Sequence, residues 1–278
     1  MSLGIAFKGP EGIVLAADSR VTLMALQTNV MPGQPGVLVP ATFDNATKLL
    51  KLAGQNQRFG AVTYGLGAIG QTAPRITHSF IPEFQAELTK KQKENLSVEQ
   101  FASELSEFFS SQWKMLGMPE QLPQGTPDMA FLIGGYDPGA PYGRVFEFFV
   151  PSRPQPREWF VGPGQFGAVW GGQREYVDRL IQGYDPRLLD LIAAELQLGP
   201  AQVENLRAKL GALSIPVPYQ FLPLQDCVDL SIFLLRTTIR LQTWTVGIRG
   251  VGGAIDVAVI TQEGFKPVRL KQLSGEEV

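Results

Sequence analysis

The chain opens with a stretch in which a single polar side chain precedes an apolar strand. In MSLGIAFKGPEGIVLAADSR, Ser2 follows Met1 and the apolar residues begin at Leu3. A serine hydroxyl is a poor nucleophile until a base accepts its proton. An α-amine, with a pKa of about 7.7–8.0, is a usable base at neutral pH. Either this serine is incidental, or Ser2 and the amine that it would carry after removal of Met1 form a nucleophile and its base.

A second candidate is the glycine-rich segment 65–70, GLGAIG, which satisfies the dinucleotide-binding pattern G-x-G-x-x-G. A nucleotide-binding unit needs a second parallel strand within about 30 residues, with an acidic residue about 20 residues past the glycines. Here Glu83 and Glu87 fall within helical sequence, and the next convincing strand begins near Asp128. We therefore interpret these glycines as a tight turn after a strand and predict no nucleotide site.

The isolated reactive side chains favour structural roles. His78 is the single histidine and lies in helical sequence without an obvious Ser or Cys partner, and Cys227 lies in an apolar helical stretch where a small buried residue is the ordinary interpretation. No Cys/His cluster has the spacing of metal ligands. We predict neither a cofactor nor a metal site.

Composition excludes several classes of partner. The 278 residues are 44% hydrophobic and 18% charged, as in ordinary globular proteins, and the formal net charge is −2. Without a basic surplus we expect no nucleic-acid partner. No apolar run is long enough to span a membrane, and no signal peptide is evident, so we expect no membrane association. A single cysteine fits a reducing compartment, and we expect a cytoplasmic protein.

The first half of the chain predicts strands followed by helices. LGIAFKG and IVLAAD, joined by a turn, predict a hairpin, whereas residues 22–45, with three prolines, predict a long and partly irregular excursion. Residues 47–52 and FGAVTY suggest a further strand pair. The pattern is helical from Ala68 to about Glu94, and residues 97–116 form a second helix that begins with a capping box of Ser97 and Gln100.

The second half predicts strands, then helices, then a closing hairpin. Strand patterns appear in DMAFLIGGYD, GRVFEFFV and REWFVGPG, and residues 173–242 are mostly helical. The last helix, 224–242, is apolar on nearly all sides, and we expect other elements to cover both of its faces. IDVAVIT and FKPVRLK predict the final hairpin. No linker divides this order, so we predict one α+β domain with helices on both outer sides of stacked sheets.

LGIAFKGPEGIVLAADSR resembles the N-terminal hairpin of proteasome β-type subunits, members of the N-terminal nucleophile (Ntn) hydrolases. The shared features are a glycine turn at Gly12, an apolar strand, and the A-A-D-x-R motif that contains Asp18 and Arg20. Lys48-Leu49-Leu50 matches the lysine motif of the family. IRGVGGAIDVAVITQEGF resembles its final Gly-Gly strand and hairpin.

The resemblance implies a fold and an activity. The fold is a four-layer αββα sandwich spanning residues 1–278 as a single domain, with insertions near 22–45 and 184–222. The activity is peptide-bond hydrolysis of the threonine/serine type, in which Ser2 is the nucleophile, its own amine is the base and no cofactor is needed. Lys48 would lower the pKa of that amine, Asp18 would hold the lysine, Arg20 would support the site, and the Gly65 N–H would receive the oxyanion.

The resemblance also implies partners and leaves an alternative open. Such subunits assemble into rings that act on peptides or unfolded proteins, often fed by a separate ATPase. The family places an acid and a hydroxyl before its Gly-Gly pair, where this chain has Ile248 and Val251, and a serine where it has Gln165. A catalytically inactive structural subunit of a ring complex is therefore the alternative function.

Overall fold

The structure is a computed structural model that describes residues 2–27, 37–51, 58–71, 73–93, 95–162 and 164–272. Its strands are β1 Leu3–Lys8, β2 Ile13–Asp18, β3 Val21–Gln27, β4 Val37–Phe43, β5 Leu49–Lys51, β6 Phe59–Gly65, β7 Ala68–Ile69, β8 Arg75–Ile76, β9 Met129–Gly135, β10 Arg144–Val150, β11 Arg153–Trp159, β12 Gly167–Gly172, β13 Ile255–Thr261 and β14 Gly264–Arg269. Its α-helices are α1 Ile81–Lys90, α2 Val98–Met115, α3 Glu175–Ile181, α4 Arg187–Glu195, α5 Pro200–Gly211 and α6 Leu224–Gln242.

The chain divides into two compact units, one of residues Met1–Gly172 with Tyr219–Val278, the other of residues Gln173–Pro218. The smaller unit contains α3, α4 and α5. The larger unit contains two five-stranded sheets, ordered β12-β1-β2-β13-β14 and β11-β10-β9-β6-β5, in which neighbouring strands are antiparallel. The mixed α/β composition and antiparallel sheets agree with the predicted α+β class. The single-domain interpretation, with its insertions, stays a prediction.

Apolar side chains fill the space between the two sheets and also cover the outer face of one sheet. One cluster joins residues of both sheets, among them Leu15, Val62 and Leu132. A second cluster is rich in phenylalanine and lies between the sheet that contains β9 and the helices α1 and α2. Helix α6 packs on β1, β2 and β13. At roughly 25 cal/mol for each Å² of apolar surface buried, these two cores supply most of the driving force for folding.

Several predicted elements are confirmed. The first hairpin forms β1 and β2, the closing hairpin forms β13 and β14, and the pair before the first helices forms β5 and β6. The capping box of α2 is present: the Ser97 hydroxyl accepts a hydrogen bond from the Gln100 N–H, and the Gln100 side chain accepts one from the Ser97 N–H.

Two local predictions are wrong, and a third is tested only over its two flanking segments. Residues 68–69 and 75–76 form the short strands β7 and β8 rather than helix, and they pair with each other antiparallel. The predicted excursion at 22–45 contains the paired strands β3 and β4, and residues 28–36 between them lie outside the described residues. Helix α6 is covered on one face, while Asp229, Phe233 and residues 236 and 240 are exposed.

Strand β12 was not predicted. Three of its six residues are glycines, which are poor strand formers. Their small size is required by packing, because a Cβ at Gly167 would overlap the ring of Phe160 and a Cβ at Gly171 the ring of Tyr64.

We predict that Ser97→Ala lowers the free energy of unfolding by about 1 kcal/mol, because the Gln100 N–H loses its side-chain acceptor at the start of α2. Urea denaturation followed by circular dichroism measures the change. Ser111→Ala, an exposed position on the same helix, is the control and should be neutral or slightly stabilising. Equal destabilisation by both substitutions would contradict a capping role.

Candidate functional site

Asp18 and Lys48 form a buried ion pair at the end of β2. The Lys48 Nζ lies 2.7 Å from Asp18 Oδ1, and the side chains are 5% and 0% exposed. Oδ1 also accepts the backbone N–H of Leu3 at 3.0 Å. Oδ2 accepts the N–H groups of Arg20 and Gly252, both at 3.0 Å. The carboxylate thus has four donors from four separate parts of the chain.

Strand pairing brings these donors to one carboxylate. The β1–β2 register pairs Gly4 with Ala17, which places Asp18 opposite the start of β1. The β2–β13 register pairs Ile255 with Asp18, so the Gly252 loop before β13 reaches the same carboxylate. Lys48 comes from the other sheet, where its carbonyl accepts the N–H of Thr63 on β6. The ion pair therefore joins the two sheets.

Burial dominates the electrostatics of Lys48. Desolvation lowers the pKa of its ammonium group, and the neighbouring Asp18 carboxylate opposes this shift. The positive charges of Lys271 and Arg20 lower the pKa of Lys48 further. The Asp18 carboxylate is thus the interaction that favours the charged form of Lys48 against its burial.

Ser2 and Lys48 line the same small cavity, of about 10 Å³, which is close to the space one water molecule needs. Ser2 is 3% exposed. The full lining consists of Ser2, Val21, Ala46, Thr47, Lys48, Thr63, Tyr64, Gly67, Ile76 and Thr77. Val21, Ala46 and Ile76 also line a larger open groove of about 650 Å³, so this groove borders the Ser2 cavity.

Gly65 occupies the turn after β6 but not the cavity wall. Its φ of +80° is a conformation that favours glycine, and a Cβ there would overlap the carbonyl oxygen of Asp128. Gly67 lines the cavity instead, with its carbonyl accepting hydrogen bonds from the N–H and the hydroxyl of Thr77. The assignment of Gly65 as the oxyanion donor stays a prediction.

Arg20 braces the loop that supplies the Gly252 donor. Its guanidinium forms a bidentate ion pair with Asp44, at 2.5 and 2.7 Å, and donates to the Arg249 carbonyl at 3.2 Å. This pairing raises the pKa of Arg20. A Cβ at Gly252 would be about 2.5 Å from the guanidinium, so the glycine permits this close approach. Arg20 thus lies near the ion pair but acts through the 249–252 loop.

At three positions this chain lacks a polar group that the family has near its nucleophile, and these positions lie outside the Ser2 cavity. Val251 is buried, and its N–H donates to the buried side chain of Gln242. Ile248 is 52% exposed, and Gln165 is exposed in the loop after Gly162. None of the three lines the Ser2 cavity as the structure describes it.

Sequence reasoning missed several polar residues near Ser2. Thr63 and Thr77 are buried in the cavity wall, and the Tyr64 hydroxyl donates to the buried carboxylate of Glu147. Glu147 also accepts the indole N–H of Trp159 at 3.1 Å. These residues could have been found in the sequence as polar residues within apolar strands, a threonine in FGAVTYG and a glutamate in RVFEFFV.

The other candidates from the sequence are the GLGAIG segment, Cys227 and His78. The strand before GLGAIG pairs antiparallel with both of its neighbours, which is not the arrangement of a nucleotide-binding unit. Burial raises the pKa of the Cys227 thiol to about 11, which makes it unreactive. His78 lines a different pocket. Within the described ranges, no group of three or more His, Cys, Asp or Glu is arranged to hold a metal, and none of the described helices is long and apolar enough to cross a membrane.

Comparison with known proteins shows a likeness in fold. No protein-family profile matches the chain, and no curated protein matches it. Among solved structures it is similar to a mutant of Anbu from Hyphomicrobium sp. strain MC1, at 14% identity and a TM-score of 0.51, over 99% of this chain and 88% of that chain. Anbu is a proteasome-like bacterial protein related to the Ntn hydrolases. The chain therefore has a fold similar to that of Anbu.

The four-donor carboxylate makes a prediction about stability. Lys48→Met should lower the free energy of unfolding by about 3 kcal/mol, because it leaves a buried carboxylate without its counter-ion. Asp18→Asn should cost at least as much, since an amide has one oxygen and cannot accept hydrogen bonds on both sides. Urea denaturation of the two variants measures which substitution lowers the free energy of unfolding more. A milder effect of Asp18→Asn would show that the backbone donors contribute little.

Proposed function

We propose that this protein is a proteasome-like peptidase of the threonine/serine type, in which Ser2, exposed as the N-terminal residue by removal of Met1, hydrolyses amide bonds in peptides or unfolded proteins. The observation that carries the proposal is that Ser2 and Lys48 share one buried cavity while Asp18 binds both Lys48 and the N–H of Leu3. Met1 itself lies outside the described residues.

The architecture supports the same proposal. Two antiparallel sheets share a core, α1 and α2 pack on one of them, and α6 packs on the other. We interpret this order as the four-layer αββα sandwich of the Ntn hydrolases. The likeness to Anbu supports that interpretation, because the match extends over nearly the whole chain.

The chemistry follows from the charges around Ser2. A neighbouring Lys48 ammonium lowers the proton affinity of the Ser2 α-amine, which favours the free base at neutral pH. The amine accepts the proton of the Ser2 hydroxyl while Oγ bonds to the substrate carbonyl carbon, and then donates it to the leaving amine. Water hydrolyses the resulting ester and restores Ser2. We assign the oxyanion to the backbone N–H of Gly65 or of Gly67, because the Leu66 N–H already donates to the Asp128 carbonyl.

Asp18 and Arg20 have positioning roles in this mechanism. Asp18 keeps Lys48 charged and holds the backbone of Leu3, so that it sets the position of Ser2 from two directions. Arg20 holds the 249–252 loop against Asp18 through Asp44 and Arg249. The groove lined by Val21, Ala46 and Ile76 provides the route by which an extended peptide reaches Ser2.

Two measurements on one sample test the proposal. Intact-mass spectrometry should show loss of Met1, and a fluorophosphonate or peptide epoxyketone probe should label the protein once, at Ser2. Ser2→Ala should abolish labelling, and Lys48→Met should slow it by at least about a hundredfold. Ser111→Ala is the matched control. Retained Met1 together with absent labelling would overturn the proposal.

The alternative function is a non-catalytic subunit of a ring complex. It is favoured by the apolar side chains of Ile248 and Val251, where the resemblance places an acid and a hydroxyl. Loss of Met1 without labelling by either probe class would support this alternative.

Both functions predict self-assembly, with a separate ATPase as a possible partner. Large apolar side chains are exposed on α6 and the loop after it, among them Phe233, Trp244 and Val246. Sedimentation velocity at micromolar concentration should show a ring-sized homo-oligomer, and Trp244→Asp should shift it towards smaller species. A monomeric wild-type protein would contradict the assembly.

A further inference from the structure

A second pocket, of about 470 Å³, opens beside β5 on the side of β13 and β14. We call it the Lys51 pocket. Its lining is Asn45, Thr47, Leu49, Lys51, His78, Asp256, Phe265, Leu270, Lys271 and Gln272. Its volume lies within the range of about 300–1,000 Å³ that is usual for small-molecule sites. It is separate from the Ser2 cavity and shares with it the single residue Thr47.

The one carboxylate of the described lining is already neutralised. Asp256 is 2% exposed and pairs with the ammonium group of Lys271. Its Oδ1 accepts the backbone N–H of Lys271 at 2.8 Å, and the Ser19 hydroxyl lies 3.5 Å from its Oδ2. Asp256 therefore stabilises the pocket wall and has little charge left to offer a ligand.

The remaining ionisable groups of the lining are basic. Within the described part of the chain, Lys51 and His78 have neither an ion pair nor a side-chain hydrogen bond. The ammonium of Lys271 has three N–H donors, and two of them bind Asp256 and Ser19. Burial and the nearby charge of Lys271 both lower the pKa of His78. The pocket thus holds more positive than negative charge, a condition that a bound anion relieves.

Apolar side chains form the rest of the wall. Leu49 is buried, Phe265 is partly buried and Leu270 is 47% exposed to the pocket and solvent. Thr47, Asn45 and Gln272 add neutral hydrogen-bonding groups. A ligand that fits this surface needs an anionic group for the basic side chains and an apolar body for the hydrophobic ones.

We propose that the Lys51 pocket is a binding site for a small organic anion, a carboxylate or phosphate carried on an apolar body. Lys51, His78 and the free N–H of Lys271 bind the anionic group, while Leu49, Phe265 and Leu270 contact the body. None of these anion-binding groups lines the Ser2 cavity or reacts in the proposed peptidase mechanism, so binding here does not depend on an active Ser2.

Isothermal titration calorimetry with three probes of equal chain length tests the proposal. Heptanoate, hexyl phosphate and hexanol share a hexyl chain and differ in the head group. We expect at least one of the two anions to bind with a dissociation constant below about 1 mM, and hexanol to bind at least tenfold more weakly. The stronger anion identifies the head group. Absence of saturable binding by either anion, or equal binding of hexanol, would overturn the proposal.

Variants locate the binding. Lys51→Met combined with His78→Gln changes two exposed side chains, so the fold should be kept, which the melting temperature without ligand verifies. This double variant should bind the anion at least about tenfold more weakly. Lys114→Met, an exposed lysine on α2, is the matched control and should bind as the wild type does. Unchanged affinity in the double variant would place the anion elsewhere and refute this site.

Discussion

The buried carboxylate of Asp18 is the interaction on which the rest of the site depends. It receives the N–H groups of Leu3, Arg20 and Gly252 together with the ammonium of Lys48. A carboxylate can be fully buried when each oxygen has charged or polar donors, and removal of one partner leaves an uncompensated charge. Because the donors come from β1, the turn between β2 and β3, the residue before β5 and the loop before β13, this one group sets the relative positions of all four.

The space between the sheets is arranged around one large side chain. The ring of Tyr64 lies against Gly4 and Gly171, which face each other across the β1–β12 pair through their shared register. Neither position has room for a larger residue without displacing the ring. The Tyr64 hydroxyl donates a hydrogen bond to Glu147, a second buried carboxylate, which also accepts the indole N–H of Trp159. Close packing on one side of Tyr64 and hydrogen bonding on the other therefore fix the wall of the Ser2 cavity.

Fold and function rest on different observations in this protein. The likeness to Anbu, at 14% identity, concerns the path of the backbone. The case for hydrolysis comes from three side chains near the chain start and the small cavity that contains Ser2 and Lys48. Residues 45–47 line the bordering groove, the Ser2 cavity and the Lys51 pocket in part, so this short segment contributes to all three spaces.

The sequence by itself determined the elements whose signals are local. The alternating and apolar patterns of the first and last hairpins, and the Ser97–Gln100 capping box, depend on residues within a few positions of one another, and the structure contains them all. The A-A-D-x-R motif placed Asp18 at the end of its strand. In contrast, residues 68–69 and 75–76 lie in a helical sequence pattern and form paired strands, and β12 is too rich in glycine to resemble a strand.

Only the tertiary structure decided which residues surround Ser2. Asp18 and Lys48 are 30 residues apart, and Gly252 is 234 residues from Asp18, so no local pattern reports their contact. No local pattern reports that Thr77 lies in the cavity wall, or that Gly67 lines the cavity while Gly65 does not. The glycines of β12 have their reason in the rings of Tyr64 and Phe160, which reach them from distant parts of the chain. Local preferences specify strands and caps, whereas a buried charge and a close-packed ring are satisfied only when the sheets come together.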